Sequence, residues 1–219
     1  MEDSRIRAVI FDLDGLLLDS EEVWDAARRR LAEEHGGRWH AEATRDMMGM
    51  SSHEWSRYMN ENIGVDMEPE EISAAVVEKV EEIYRERLPL LPGAREAVER
   101  LAARWPLGLA SSSNRPVIDL VLELADLESF FKVTVSSEEV ARGKPAPDVY
   151  LEAARRLGAE PERCAAVEDS TNGILSARAA GMRVIAIPNP AFPPDEDALR
   201  EASVVLASLQ ELRPEVVAS

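Results

Sequence analysis

Lysine and cysteine are both scarce in this chain. Only Lys79, Lys132 and Lys144 are lysines among 25 basic residues, which face 42 aspartates and glutamates and leave a formal charge of −17. Nucleic acid and anionic membrane surfaces need a basic face that displaces counterions from phosphates, so neither is an expected partner. The one cysteine, Cys164, cannot close an internal disulfide; it reads as a small core residue, and nothing depends on an oxidising compartment. Long apolar runs are missing as well. No segment approaches the roughly 18 uncharged residues of a membrane span, and the opening Met1-Glu2-Asp3-Ser4-Arg5 is acidic rather than signal-like. With 219 residues and 45% hydrophobic content, the expectation is a soluble, cytoplasmic, globular chain with a sizeable core, a monomer by default. Neither an internal repeat nor a low-complexity segment is visible.

What the chain does have is a rhythm of short apolar runs that end in polar turns. Arg7 to Phe11 reads as a buried strand running into Asp12-Leu13-Asp14-Gly15. Leu107 to Ala110 runs into Ser111-Ser112-Ser113-Asn114, and Val133 to Val135 into Ser136-Ser137. Ala165 to Val167 meets Glu168-Asp169-Ser170, and Met182 to Ile187 and Val204 to Ala207 complete six candidates. Helical patterns lie between them at Gly93 to Arg104, Arg115 to Leu124, Asp148 to Leu157 and Asn172 to Ala180, with Gly158 and Gly181 as C-terminal stops. Alternation of this kind calls for an α/β fold: a Rossmann-like parallel sheet covered by helices and joined by right-handed crossovers.

Residues 19–88 break the rhythm. They offer no convincing strand but several amphipathic helices, including Glu21 to Glu34 and Glu70 to Arg87, so they read as a helical cap domain inserted into a core of residues 1–18 and 89–219. Asp19 is the expected N-cap of the first helix, with Glu22 completing a capping box. The exit, Leu88-Pro89-Leu90-Leu91-Pro92-Gly93, is a stiff connector, and two short linkers at neighbouring points suit a hinged lid.

An acidic protein that handles an anion must rely on a few well-placed cations. Asp12 and Asp14, two residues apart at a strand end, can both enter the crevice at the sheet's carboxyl edge, where open α/β folds bind ligands. Such a pair supplies a nucleophile and a second acid, the equipment for splitting a phosphate ester in two steps, although the residues alone do not say which aspartate does which. Two carboxylates repel phosphate unless a divalent cation lies between them, and hard oxygen ligands suit Mg²⁺. Glu168 and Asp169, after another strand, offer further metal ligands. Ser111, with Ser112 and Asn114 beside it, offers phosphate donors near a helix start. Lys144 is presented by Gly143 and Pro145 from a constrained loop. Taken singly, these are ordinary turns, caps and a solvated lysine. Together, four segments bring nucleophile, hydroxyl, cation and metal acid to the ends of four strands.

Asp12-Leu13-Asp14-Gly15, Ser111, Lys144-Pro145 and Glu168-Asp169 resemble the four ordered motifs of the haloacid dehalogenase superfamily, over essentially the whole chain. The insert, Gly143-Lys144-Pro145-Ala146-Pro147-Asp148 and Glu168-Asp169-Ser170-Thr171-Asn172-Gly173 resemble the branch of β-phosphoglucomutase and many sugar-phosphate phosphatases. The resemblance implies a Mg²⁺-dependent phosphohydrolase acting on a small phosphorylated metabolite through a phosphoaspartate. It makes Asp12 the nucleophile and Asp14 the acid that protonates the leaving group and then activates water. Ser111 and Lys144 would hold the phosphoryl group. The metal would take Asp12, the Asp14 carbonyl, Asp169, and Glu168 as ligand or supporting partner.

Asp14 separates the chain from dehalogenases, which lack that residue. Phosphonate-cleaving relatives use a cap lysine, and the only lysine in the insert, Lys79, reads as a solvated one. A phosphomutase is the nearer alternative; mutases of the family carry a histidine early in the first cap helix, where Trp24 stands here, and an arginine in the loop now occupied by Ser51-Ser52-His53. Gly49 and His53 are carried as substrate-side candidates in the insert, with Arg57, although an exposed helix face explains His53 and Arg57 equally well. A third reading is a catalytically idle protein that binds a phosphorylated ligand.

Overall fold

The apolar runs become six strands, β1 (Ala8–Phe11), β2 (Leu107–Ser111), β3 (Phe131–Ser136), β4 (Cys164–Glu168), β5 (Arg183–Ala186) and β6 (Val204–Val205), in a computed structural model that describes residues 6–47 and 50–218. They form one sheet in the order β3-β2-β1-β4-β5-β6 with every neighbouring pair parallel. This is the Rossmann-like parallel α/β sheet expected from the sequence. Successive strands leave β1 in one direction as far as β3 and resume on its other side with β4, so the direction of winding switches beside β1.

Period-two alternation divides β1 between two cores. Val9 and Phe11 point into one cluster, Ala8 and Ile10 into the other, and all four are fully buried. Burial on both faces explains why these strands read as continuous apolar runs rather than as alternating ones. On the second face the strands carry small residues, Ala8, Ala110, Cys164, Ala166 and Ala186. The buried Cys164 is thus a small core residue, as expected.

Between Leu18 and Leu90 the regular elements among the described residues are all helical: α1 (Glu21–Glu34), α2 (Ala43–Met47), α3 (Ser52–Tyr58) running into a π-turn at Met59–Ile63, and α4 (Pro69–Glu86). The remaining long helices, α5 (Ala94–Ala102), α6 (Arg115–Leu124), α7 (Asp148–Leu157) and α8 (Thr171–Ala179), cover the sheet. Trp24, Leu31, Trp55, Ile72 and Val76 of the helical segment share one hydrophobic cluster with Phe11, Leu13 and Leu16. The chain enters and leaves this segment side by side: Asp19 N–H donates to the Pro89 carbonyl (2.9 Å), Leu91 N–H to the Leu17 carbonyl (2.9 Å), and Leu18 bridges Leu90 antiparallel. That pairing corrects one expectation. Asp19 does not cap α1, because its backbone is engaged with the exit connector; the N-cap is Ser20, in helical conformation and without a side-chain capping bond. No helix among the described residues is long and apolar enough to cross a membrane.

Candidate active site

Sheet register brings the strand-end acids together. Phe11 stands opposite Val167, so Asp12 and Glu168 finish neighbouring strands at the same level, and Asp12 N–H donates to the Val167 carbonyl at 3.0 Å. From the loop after β3, Lys144 reaches between them. Its Nζ lies 2.6 Å from Asp12 Oδ1 and 2.6 Å from Glu168 Oε1, and all three residues are buried. Asp169 completes the group. One carboxylate oxygen from each of Asp12, Glu168 and Asp169 falls within 4.8 Å of the others.

These acids differ in how they are satisfied. Glu168 is saturated, because Oε1 accepts from Lys144 and from the Tyr150 hydroxyl (2.7 Å) while Oε2 accepts from the N–H of Asp169 (3.0 Å) and the hydroxyl of Ser170 (3.2 Å). Asp169 Oδ1 is buried with no hydrogen-bond partner among the described residues. Burial pushes the Asp12 carboxyl up to about 8 against the pull of Lys144, and burial with Glu168 beside it raises Asp169 well above the usual carboxylate range. Lys144 is held above its ordinary value: burial opposes its charge, but Asp12 and Glu168 outweigh that. When all three are ionised, the acids exceed the single ammonium by two negative charges at a buried site, the excess that the raised Asp12 and Asp169 carboxyls reflect, and one Asp169 oxygen there has no partner among the described residues. Hard oxygen donors with that surplus fit a divalent cation such as Mg²⁺.

Two glycines keep the acids close. Gly15 has φ +78°, open to a residue without Cβ, and a methyl there would come 2.2 Å from Asp169 Oδ2. At Gly173, in the first turn of α8, a methyl would stand 1.9 Å from the Glu168 carboxylate. The turn of β1 and the start of α8 therefore close on the two acids as far as bare backbone permits.

Asp14 has a separate set of partners. Its Oδ2 accepts from Ser113 Oγ (2.7 Å) and Ser111 Oγ (3.2 Å), and its Oδ1 accepts from Trp24 Nε1 (3.2 Å). Ser111 is fully buried and itself accepts from Ser113 N–H at 2.9 Å, so its hydroxyl serves Asp14 here rather than open cleft; Ser112 and Ser113 reach the lining. Asn114 is buried away from the cleft, where its amide donates to Glu138 Oε1 (2.7 Å) and Ser73 Oγ of α4 (3.4 Å). His53 is exposed on α3 with Nε2 2.7 Å from Arg57, outside the lining residues. Gly49 lies outside the described residues.

The cleft measures about 870 Å³ and opens between the strand ends and the helical segment. From the segment come Glu21, Trp24, Arg28, Thr44 and Trp55. Sequence reading missed Ser113, Tyr150, Arg28 and the Trp24–Asp14 bond. The available signal was the spacing 21, 24, 28 on α1, one helix face that turns to the site. Arg28 is 8% exposed, its guanidinium carbon 5.2 and 4.9 Å from the ring centres of Trp24 and Trp55, and burial lowers its pKa to about 10 while Glu21, Asp25 and Asp14 act against that.

The fold is a doubly wound parallel α/β sheet, and its candidate site is a group of buried carboxylates at the sheet's carboxyl edge. The chain belongs to the haloacid dehalogenase-like hydrolase family, whose model matches residues 9–187. It is 36% identical to hexitol phosphatase B of Escherichia coli K12 over 220 residues, 95% of each chain. A phosphorylated-carbohydrate phosphatase of Thermotoga maritima is 35% identical over 182 residues, 82% of this chain and 84% of that one. Among solved structures, a variant of CbbY from Rhodobacter sphaeroides in complex with xylulose 1,5-bisphosphate superposes with a TM-score of 0.87 at 26% identity, covering 98% of this chain and all of the other (100%).

Proposed function

We propose that the protein hydrolyses a small phosphate monoester, with Asp12 as nucleophile and Mg²⁺ as cofactor. The carrying observation is the charge count at the site: three buried carboxylates, one ammonium, and an Asp169 oxygen without a partner. Asp12 and Asp169 would hold the metal. When bound, it supplies positive charge that lets a phosphate dianion approach an anionic nucleophile. Glu168, saturated as it is, supports the site by fixing Lys144 and the Asp169 backbone rather than by ligating.

The carboxylate of Asp12 attacks phosphorus and the ester bond to the leaving oxygen breaks, which leaves a phosphoaspartate. Lys144, on Asp12 Oδ1, also lies where it balances charge on the transferring phosphoryl group. Asp14, oriented by Ser113, Ser111 and Trp24, gives its proton to the leaving oxygen and then takes one from the water that attacks the phosphoaspartate. Residues 19–88 act in this reading as a cap hinged on the paired linkers, and shield the intermediate from stray water. Water is favoured over a second sugar hydroxyl as acceptor because the group that the segment hydrogen-bonds to Asp14 is an indole, which donates only and does not itself relay a proton.

Phosphate release from a panel of sugar phosphates, nucleotides, phosphoglycolate, glucose 1-phosphate and p-nitrophenyl phosphate tests this. Release should stop with EDTA and return with added Mg²⁺. Metal-independent release, or tight binding of panel members without release, overturns the reading; conversion of glucose 1-phosphate to the 6-phosphate with little free phosphate would establish the mutase instead.

A further inference from the structure

We propose that Arg28, with Glu21 one face-repeat earlier on α1, recognises the hydroxyl groups of the leaving portion of the substrate and sets the enzyme's preference for polyol phosphates. The inference rests on the hydrolase reading above and concerns which esters it accepts. A guanidinium is an expensive group to bury without partners. Arg28 is nevertheless more than nine-tenths buried in the wall of the catalytic cleft, and its Nε has no hydrogen-bond partner among the described residues. Trp24 and Trp55 hold it by cation–π contact, which fixes the guanidinium in the cleft wall. A fixed guanidinium with an unpaired donor in the wall of the cleft is what a site presents to a ligand.

Its position says which part of the ligand. Trp24 donates to Asp14, the acid that serves the leaving oxygen, and Arg28 lies against the same indole. The leaving portion of the substrate therefore extends toward Arg28. The chemistry of the group follows from charge. The carboxylates of Glu21, Asp25 and Asp14 are near enough to the guanidinium to favour its charge; Asp25 is engaged by Arg29 and Thr44, whereas Glu21 lines the cleft with Arg28. A second phosphate or a carboxylate at this point would meet those acids. A hydroxyl suits both partners, since it accepts from the guanidinium and donates to Glu21.

The test compares kcat/KM for glucitol 6-phosphate, fructose 1,6-bisphosphate and p-nitrophenyl phosphate, whose leaving group has no hydroxyl beyond the ester. In Arg28→Met the ratio of glucitol 6-phosphate to p-nitrophenyl phosphate should fall about tenfold or more, with the loss in KM, because a site that hydrogen-bonds a hydroxyl loses that discrimination when the donor goes. Glu21→Gln should lower the same ratio less. Arg28→Lys keeps the charge but not the fork, and serves if the methionine variant does not fold; the ratio should fall there too. An unchanged ratio, with both rates moving together, makes Arg28 structural and overturns the proposal. So does a larger loss for the bisphosphate than for glucitol 6-phosphate, which would mark a second-anion site. A wild-type protein that releases phosphate from none of the three fails at the hydrolase reading itself, an outcome distinct from an active enzyme with an unchanged ratio.

Discussion

Asp12→Asn should bind Mg²⁺ and substrate yet release phosphate about 10⁴-fold more slowly than wild type, the scale seen when a nucleophile is removed and binding is left. Asparagine keeps the shape at the end of β1 and can still offer a carbonyl oxygen, but the amide does not form a phosphoester. Asp14 cannot take over, because Ser113, Ser111 and Trp24 engage its carboxylate whereas Lys144 pairs with Asp12. Phosphate release measured under saturating substrate, with ligand binding followed in parallel by calorimetry, separates the two roles. Activity within tenfold of wild type would move the nucleophile elsewhere.

Lys144→Met should damage both catalysis and folding. Activity should drop about 10³-fold for want of a cation on the transferring group. Stability of the metal-free protein should fall by about 3 kcal/mol, since breaking a buried ion pair strands its partners; here Asp12 and Glu168 both lose their ammonium. The pH dependence carries a sign. Asp12 already titrates near 8 against 3.8 unfolded, through burial and despite Lys144, so without the lysine it rises further. A carboxyl whose folded pKa is raised binds its proton more tightly when folded, and its contribution to stability is lost as pH rises from about 4 upward. Urea midpoints for the variant should therefore drop as pH goes from 5 to 8, and Mg²⁺ should recover part of the loss. A variant as stable as wild type at pH 8 without metal contradicts the buried charge cluster.

The core was legible because its signals are local. A buried parallel strand is an apolar run, and a strand end that binds ligand stops on Asp or Ser; Asp12, Ser111 and Glu168 could be found by that logic alone, and α6 and α7 occupy the spans their periodicity indicates. The helical segment was less readable. α2 and α3 have five and seven residues, too short for a period of 3.6 to declare itself, and the π-turn that follows has no sequence signature. The same limit applied to the site. Residues carried by strand ends were placed by topology, whereas Trp24, Arg28 and Glu21 matter because of how α1 packs across the cleft, a tertiary fact. Ser113 was hidden in a serine run where only the turn after β2 decides which hydroxyl reaches Asp14. Asp19 looked like a cap because it is an acid before a helix, but a backbone pairing with Pro89 outranked that preference.

A crystal structure of the protein with Mg²⁺ and beryllium trifluoride, a mimic of an acylated phosphoryl group, addresses the central claim most directly. The expected result is beryllium bonded to an Asp12 carboxylate oxygen, Lys144 on a fluorine, and one Mg²⁺ ligated by both Asp12 and Asp169, with Glu168 still paired to Lys144. Beryllium on any other side chain, or a metal ion that Asp12 and Asp169 do not share, would contradict it.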